Sequence, residues 1–232
     1  EEITKDLSCE IITCGLEHTA DYMAKNITFD EFAHASFDCI KGDEVLGRFS
    51  LSVPGVHNAA NALSAIALGE KLGLSMEDIQ KGLLHFGGTD RRFQYKGKVG
   101  GVTIIDDYAH HPTEIAATLR TAKNYPHRTT WCVFQPHTYT RTKALMHEFA
   151  EALTLADKVV LADIYAARET NNLGISSQNL RDLVASLGTD AYYFSTFDEI
   201  EEFLLKNCIH DDLLITMGAG DVYKIGENLL GM

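Results

Sequence analysis

The chain has 232 residues, room for one large or two small domains, and its 45% hydrophobic and 23% charged content fits an ordinary globular protein. With 20 Lys and Arg against 33 Asp and Glu, the formal charge is −13. That argues against a general nucleic-acid binder, because nonspecific phosphate binding needs clustered cations.

The amino-terminal Glu1-Glu-Ile-Thr-Lys-Asp lacks the basic and apolar regions of a leader, and the missing initiator Met points to a cut chain. Strands are expected at 9–14, 22–29, 35–40 and 47–53, the last two joined by a hairpin turn at Lys41-Gly-Asp-Glu44. A helix is expected from His57 to Leu72, because Ala59, Leu63, Ile66 and Ala67 recur on one face. A second begins after Ser75, which approximates a capping box with Asp78 and turns Met76, Ile79 and Leu83 inward. Gly87-Gly88-Thr89 breaks the pattern and divides the chain into 1–88 and 89–232. Beyond it, strands at 102–106, 130–135, 158–164, 190–194 and 213–217 alternate with helices at 113–124, 142–155, 177–187, 198–206 and 221–230. Such alternation implies βαβ units and a largely parallel sheet. No apolar run of about 18 residues exists for a membrane span.

The five cysteines, Cys9, Cys14, Cys39, Cys132 and Cys208, are widely spread and form no C-x-x-C pair. Zinc and redox motifs are therefore disfavoured, and a reducing, cytoplasmic compartment is expected. Cys132, inside an apolar strand, reads as a small hydrophobe.

Two stretches concentrate polar chemistry where apolar runs end and helices begin. Asp106, Asp107, Tyr108, His110 and His111 follow the run to Ile105; His137, Tyr139 and Arg141 follow the run to Phe134. In an open α/β sheet these are carboxyl ends of strands, where ligands bind. A carboxylate at the first could accept from ribose hydroxyls or reach a metal through water, and a histidine could bind phosphate or act as acid or base. A polar turn with one capping Asp is the plainer account. At the second, Arg141 near a helix start is suited to a small carboxylate, although an exposed loop would read alike. His57, Asn58 and Asn61 share one face of the first helix, and Asn can pair with the edge of a base such as adenine. Asn58 as a simple helix cap is the competing account. Arg91 and Arg92, beside the glycine break, could reach phosphate oxygens or lie solvated on the surface. Gly218-Ala-Gly-Asp221 could cradle an anion, but Tyr223 breaks the dinucleotide fingerprint, and no G-x-x-x-x-G-K-[ST] occurs. Tyr165 and Arg168, after the run 158–164, could also face the cleft.

The ordered set His57-Asn-Ala-Ala-Asn61, Arg91-Arg-Phe93, Asp106 to Glu114, Phe134 to Thr142 and Met217-Gly-Ala-Gly-Asp221 resembles the Mur ligases of peptidoglycan synthesis over about residues 53–232. The likeness is greatest to the members that add L-alanine to UDP-N-acetylmuramate. It implies the end of a central mixed α/β ATP-binding domain, then a Rossmann-like, largely parallel C-terminal domain for the amino acid. It further implies that His57, Asn58 and Asn61 sit at the adenine, Arg92 at the ATP phosphates, Asp107 at the ribose and His110 near the nucleotide, with Arg92 and His110 serving catalysis. Tyr108, His111, His137, Tyr139 and Arg141 would receive L-alanine. Position 138 is Thr where a further Arg is frequent, so Arg141 would supply more of that binding. ATP would phosphorylate the muramoyl carboxylate, and the alanine amine would displace phosphate.

A tripeptide-adding recycling ligase is the nearest alternative, and a non-catalytic nucleotide-binding module is another. An NAD-dependent dehydrogenase fails on the missing glycine fingerprint. The phosphate loop, the main Mg2+ ligands and the UDP-binding domain are expected outside this sequence. The polypeptide by itself should therefore not ligate; measurable turnover from it would refute this.

Overall fold

The computed structural model describes Thr4, residues 7–171 and residues 173–232. Most of the amino-terminal stretch read above for a leader lies outside the described residues. The chain divides into two compact units, Glu1–Gly87 and Gly88–Met232.

In unit 1, β1 (Cys14–Gly15), β2 (Tyr22–Phe29), β3 (His34–Lys41) and β4 (Glu44–Pro54) form a sheet in that order. β1 runs parallel to β2, and the other pairs are antiparallel. Side chains alternate across a strand. Ala35, Phe37 and Cys39 of β3 and Phe49, Leu51 and Val53 of β4 therefore share one buried face. Leu63 and Ile66 of α1 (Val56–Lys71) and Ile79 of α2 (Met76–His85) cover it. The expected hairpin is present: Lys41 pairs with Glu44, and Gly42 takes the φ of +58° that the tight turn requires. Ser75 caps α2, its hydroxyl accepting from the Asp78 N–H. Residues 9–13 are not a strand, contrary to expectation. Thr13 is instead tied by its backbone and hydroxyl to the Asp21 carboxylate, so regular pairing begins only at Cys14.

Unit 2 contains β5 (Gln94–Val99), β6 (Val102–Asp107), α3 (Pro112–Ala122), β7 (Thr130–Phe134), α4 (Tyr139–Ala144), α5 (Met146–Leu153), β8 (Lys158–Leu161), α6 (Ser177–Ser186), β9 (Asp190–Tyr193), α7 (Phe197–Asn207), β10 (Leu213–Met217) and α8 (Tyr223–Leu230). Its six-stranded sheet has the order β5-β6-β10-β7-β8-β9. All pairs are parallel except the edge pair β5–β6. Both faces are covered. Ile105, Cys132, Phe134, Leu161 and Ile215 face α3, α5 and α6, whereas Ile104, Trp131, Val133, Val160 and Leu214 face α7 and α8. Burial on both faces explains why these strands read as unbroken apolar runs.

Two departures from the expected elements have local causes. β5, with sequence Gln94-Tyr-Lys-Gly-Lys-Val99, carries no apolar alternation because it is an exposed edge, where lysines suit the unpaired side. The helix expected at 142–155 starts earlier, at Tyr139, and breaks at Leu145, whose φ and ψ of −117° and 26° separate α4 from α5.

Far from the strands' carboxyl ends, buried Asp212 accepts from Trp131 Nε1 at 3.0 Å, the Ile209 N–H at 3.0 Å and Arg128 at 2.9 Å. Asp212→Ala orphans the buried indole N–H, at a cost of about 1–3 kcal/mol. Urea unfolding followed by Trp131, the chain's one tryptophan, should show that loss. A change within about 0.5 kcal/mol, the range of an ordinary surface substitution, would remove Asp212 from the stabilising set.

Candidate active site

Parallel register aligns Asp107, Met217, Phe134 and Leu161, so the segments after β6, β10, β7 and β8 all leave the sheet at one edge. β10 enters last in the chain, yet lies between β6 and β7. The candidate residues from the two middle loops therefore flank the turn Gly218-Ala219-Gly220.

That turn is shaped by exclusion. Gly218 has φ of +146°, and a Cβ there would lie 2.7 Å from the Gln135 carbonyl oxygen. A Cβ on Gly220 would collide with Gln135 Oε1 and come within 2.9 Å of the Tyr165 ring. With no side chain rising from these two positions, rings from the neighbouring strands meet across the turn. Tyr108 and His110 centroids are 5.4 Å apart, His110 and His137 6.0 Å, and His137 and Tyr165 5.6 Å. Four rings from three loops thus form one row.

Within the turn considered from sequence as an anion cradle, one N–H and two carbonyls are engaged inside the protein. Its Gly218 N–H donates to the Asp107 carbonyl, and the Gly218 and Gly220 carbonyls accept from Arg91 at 2.6 and 3.0 Å. Arg91 Nε also donates to Asp106 at 2.8 Å, and its guanidinium lies between the Tyr108 and Tyr223 rings, 4.9 and 4.7 Å from their centroids. Of the paired arginines, Arg91 is the clamp, a function that sequence reasoning missed. Arg92 stays half-exposed, 3.6 Å from Glu114, and keeps most of its donors for other partners.

Asp106 and Asp107 point to opposite faces because strand side chains alternate. Asp106 accepts from Arg91 and from Thr216 at 2.7 Å. Asp107 accepts from the N–H groups of Phe93 and Ala109 and the Thr118 hydroxyl, at 2.9, 2.8 and 3.0 Å. Burial raises its pKa above the usual carboxylate range despite those donors. With 5% exposure and three internal donors, Asp107 is occupied in holding α3 and Phe93 to β6, which departs from the expected ribose ligand.

His110 Nδ1 lies 3.0 Å from the Tyr108 carbonyl. A carbonyl only accepts, so His110 Nδ1 carries a proton and donates to it. Burial opposes ionisation of Glu114. The His110 N–H and the charges of His110 and Arg92 outweigh it, holding that carboxyl below its ordinary range. His111 is an N-cap: its ring accepts from the Thr113 N–H at 3.4 Å, with Pro112 opening α3. The ring is exposed, and the cap uses one of its two nitrogens.

Beyond β7, Thr138 has φ of +64°, an uncommon conformation for a β-branched residue, and its hydroxyl caps α4 by accepting from the Arg141 N–H. Tyr139 and Arg141 therefore lie in the first turn of α4, not before it. Glu169 holds that turn through the backbone N–H and hydroxyl of Thr140. Three buried polar atoms here have no partner among the described residues: Gln135 Oε1, His137 Nδ1 and Arg141 Nη1. Natively unsatisfied buried groups are few, and each calls for an explanation. Burial, the Arg141 charge and then His110 lower the His137 pKa, with Glu169 opposing. No cluster of three or more His, Cys, Asp or Glu placed to hold a metal exists among the described residues.

In unit 1, Gly55 caps α1, which corrects the capping role considered for Asn58. Asn58 Nδ2 donates instead to the Pro54 carbonyl, and its Oδ1 accepts from Asn61 Nδ2 at 3.1 Å. Asn58 is thus half-committed within the protein, His57 is half-buried, and Asn61 is exposed. Among the described residues no helix is long and apolar enough to cross a membrane.

Comparison with known proteins matches residues 91–220 to "Mur ligase, glutamate ligase domain" and residues 1–69 to "Mur ligase middle domain". A UDP-N-acetylmuramate–L-alanine ligase of Agathobacter rectalis is 58% identical over 99% of this chain and 50% of its own length. The chain spans about half the length of the curated relatives it matches. Among solved structures, UDP-N-acetylmuramate–alanine ligase from Thermotoga maritima superposes with a TM-score of 0.79 at 28% identity, covering 95% of this chain and 47% of that one. A murein peptide ligase from Psychrobacter arcticus gives 0.64 at 25%, covering 94% and 45%.

His137 should titrate below the ordinary histidine range. A depressed folded-state pKa contributes stability above the unfolded value that is lost as pH falls through the folded one. Arg141→Gln removes a repelling cation, so the His137 imidazole resonances should titrate at higher pH in that variant. An unchanged or lower midpoint would show that Arg141 does not act on His137.

Proposed function

The chain belongs to the Mur ligase family, and from that premise we propose that it is the amino-acid-receiving part of an ATP-dependent ligase that joins L-alanine to UDP-N-acetylmuramate. The observation that carries this reading is the trio of unpartnered polar atoms beside β7. Arg141 Nη1 is a buried donor without an acceptor among the described residues, and a small carboxylate would supply one. His137 and Tyr108, from neighbouring loops, would line the same edge, with Tyr139 beside Arg141 in the first turn of α4. Names of the curated relatives support L-alanine as the acceptor over a tripeptide, given 58% identity to one L-alanine ligase.

In this reading unit 1 is the end of the ATP-binding domain and unit 2 the amino-acid domain. His57, Asn58 and Asn61 serve the adenine, with Asn61 the least committed of the three. Arg92, whose half-exposed guanidinium keeps donors outward, and His110 serve the phosphates. Asp107 and His111 act from behind, as carboxylate brace and helix cap. The muramoyl carboxylate takes the γ-phosphoryl group of ATP. The neutral amine of alanine then attacks that acyl phosphate, and the tetrahedral intermediate collapses with loss of inorganic phosphate. Little covalent work falls to the protein, so its contribution is placement and charge neutralisation. Arg141 fixes the acceptor carboxylate, which leaves the amine at the opposite end of a small molecule free to attack. Mg2+ belongs with the ATP phosphates, and the described residues offer no ligand cluster for it.

Phosphate release by the full-length ligase carrying this chain, given ATP, magnesium and UDP-N-acetylmuramate, should require L-alanine over glycine, L-serine or the tripeptide. Release with tripeptide alone would instead indicate the recycling activity, and none with any acceptor a non-catalytic module. In the same enzyme Arg141→Ala should raise KM for alanine far more than KM for ATP, by about 1.5–3 kcal/mol for one lost charged hydrogen bond. Equal effects on both would take Arg141 out of the alanine site.

A further inference from the structure

We propose that Tyr165 is a positioning residue of the amino-acid site, its ring holding the His137 imidazole in the orientation that faces the acceptor. This rests on the amino-acid reading of the β7 loop given above.

Tyr165 follows β8, one strand beyond the β7 loop that carries His137 and Arg141. Two backbone hydrogen bonds bracket His137: Tyr165 N–H donates to the Pro136 carbonyl at 2.8 Å, and Thr138 N–H donates to the Tyr165 carbonyl at 2.9 Å. They make residues 137 and 165 a one-residue parallel bridge, which sets the two side chains side by side. The rings then stack, with centroids 5.6 Å apart and planes at 20°. His137 needs such a support because its Nδ1 is buried and finds no hydrogen bond among the described residues to fix the ring. Imidazoles at functional sites are ordinarily oriented by a partner on the second nitrogen. Here a ring face takes that place.

The other side of Tyr165 is fixed by the glycine turn. A Cβ at Gly220 would fall 2.9 Å from Cγ and Cδ2 of the ring, so the turn leaves the tyrosine its place only while residue 220 lacks a side chain. Tyr165 is 39% exposed, more than a residue buried for packing alone would be. The contact with His137 is made by the ring face, to which the proposal assigns the work.

The test uses the full-length ligase with Tyr165→Ala, Tyr165→Phe and Arg141→Ala compared in parallel. The backbone bridge survives both tyrosine changes, so the pair isolates the ring. Tyr165→Ala should raise KM for L-alanine about tenfold or more while KM for ATP stays within about twofold, and Tyr165→Phe should restore the wild-type value. The His137 ring-proton resonances should move in Tyr165→Ala, through loss of the stacked ring current, and return in Tyr165→Phe. If Tyr165→Ala leaves alanine KM unchanged while Arg141→Ala raises it, the proposal falls and the site reading stands. If neither acts on alanine selectively, the amino-acid reading itself falls. If Tyr165→Phe is as damaging as Tyr165→Ala, the hydroxyl is the active part and stacking is overturned. Should Tyr165→Ala fail to fold, Tyr165→Leu, which fills the space without a flat ring, carries the same comparison.

Discussion

The carboxyl edge of the second unit depends on the guanidinium of Arg91. Its Nε is bound to the buried Asp106, its two terminal nitrogens to the carbonyls of Gly218 and Gly220, and its flat faces to Tyr108 and Tyr223. A cation withdrawn from water is tolerated only when charge and donors are both satisfied, and the planar fork does this where an ammonium would not. The consequence is geometric. β6 and β10 are neighbours in the sheet but remote in sequence, and Arg91 ties the ends of both to the segment that enters β5. Tyr108 stacks on that fork and donates its N–H to the Arg91 carbonyl, so the ring row begins from a fixed point. Without Arg91, Asp106 would stay buried with Thr216 as its remaining side-chain partner.

Much of this edge was legible in the sequence because strands buried on both faces are apolar runs, and the polar residues after them stand out. Val102 to Ile105, Trp131 to Phe134 and Leu213 to Met217 announced both the parallel sheet and where its loops would be. Less legible was what depends on partners far along the chain. β5 lacks the apolar pattern because it is an edge. The return of β10 between β6 and β7, which brings glycines and not side chains to the middle of the site, follows from connectivity that no local pattern records. Residue type also hides direction. Asp106 and Asp107 look equivalent as letters, yet pleating sends one to Arg91 and the other to Phe93 and Thr118. Arg91 and Arg92 differ as sharply, one clamped and one half-exposed. His111 and Tyr165 show the same blindness from opposite sides, since one looked like a ligand and caps a helix, while the other drew only passing notice and stacks on His137. A capping histidine before proline was readable in principle, from Pro112 at the first helical position.

The polar groups of the edge fall into two classes, and the division bears on binding. Asp106, Asp107, Arg91 and His111 have partners within the chain and set positions. Gln135 Oε1, His137 Nδ1 and Arg141 Nη1 are buried without partners, so each retains a desolvation cost that a ligand group would relieve. Glu169, in the β8 loop, accepts from the Thr140 N–H and hydroxyl. Where such groups sit matters in a chain of net charge −13, which at long range disfavours anionic substrates. Salt screens that field beyond about 8 Å at physiological ionic strength, so an anion close to the edge feels chiefly the local charges. Arg92 and Arg141 stand there with the neighbouring carboxylates of Asp106 and Asp107 turned into the fold. Burial and the Arg141 charge lower the His137 pKa, which disfavours a second cation beside Arg141. Local arrangement, more than composition, thus sets the charge that the edge presents.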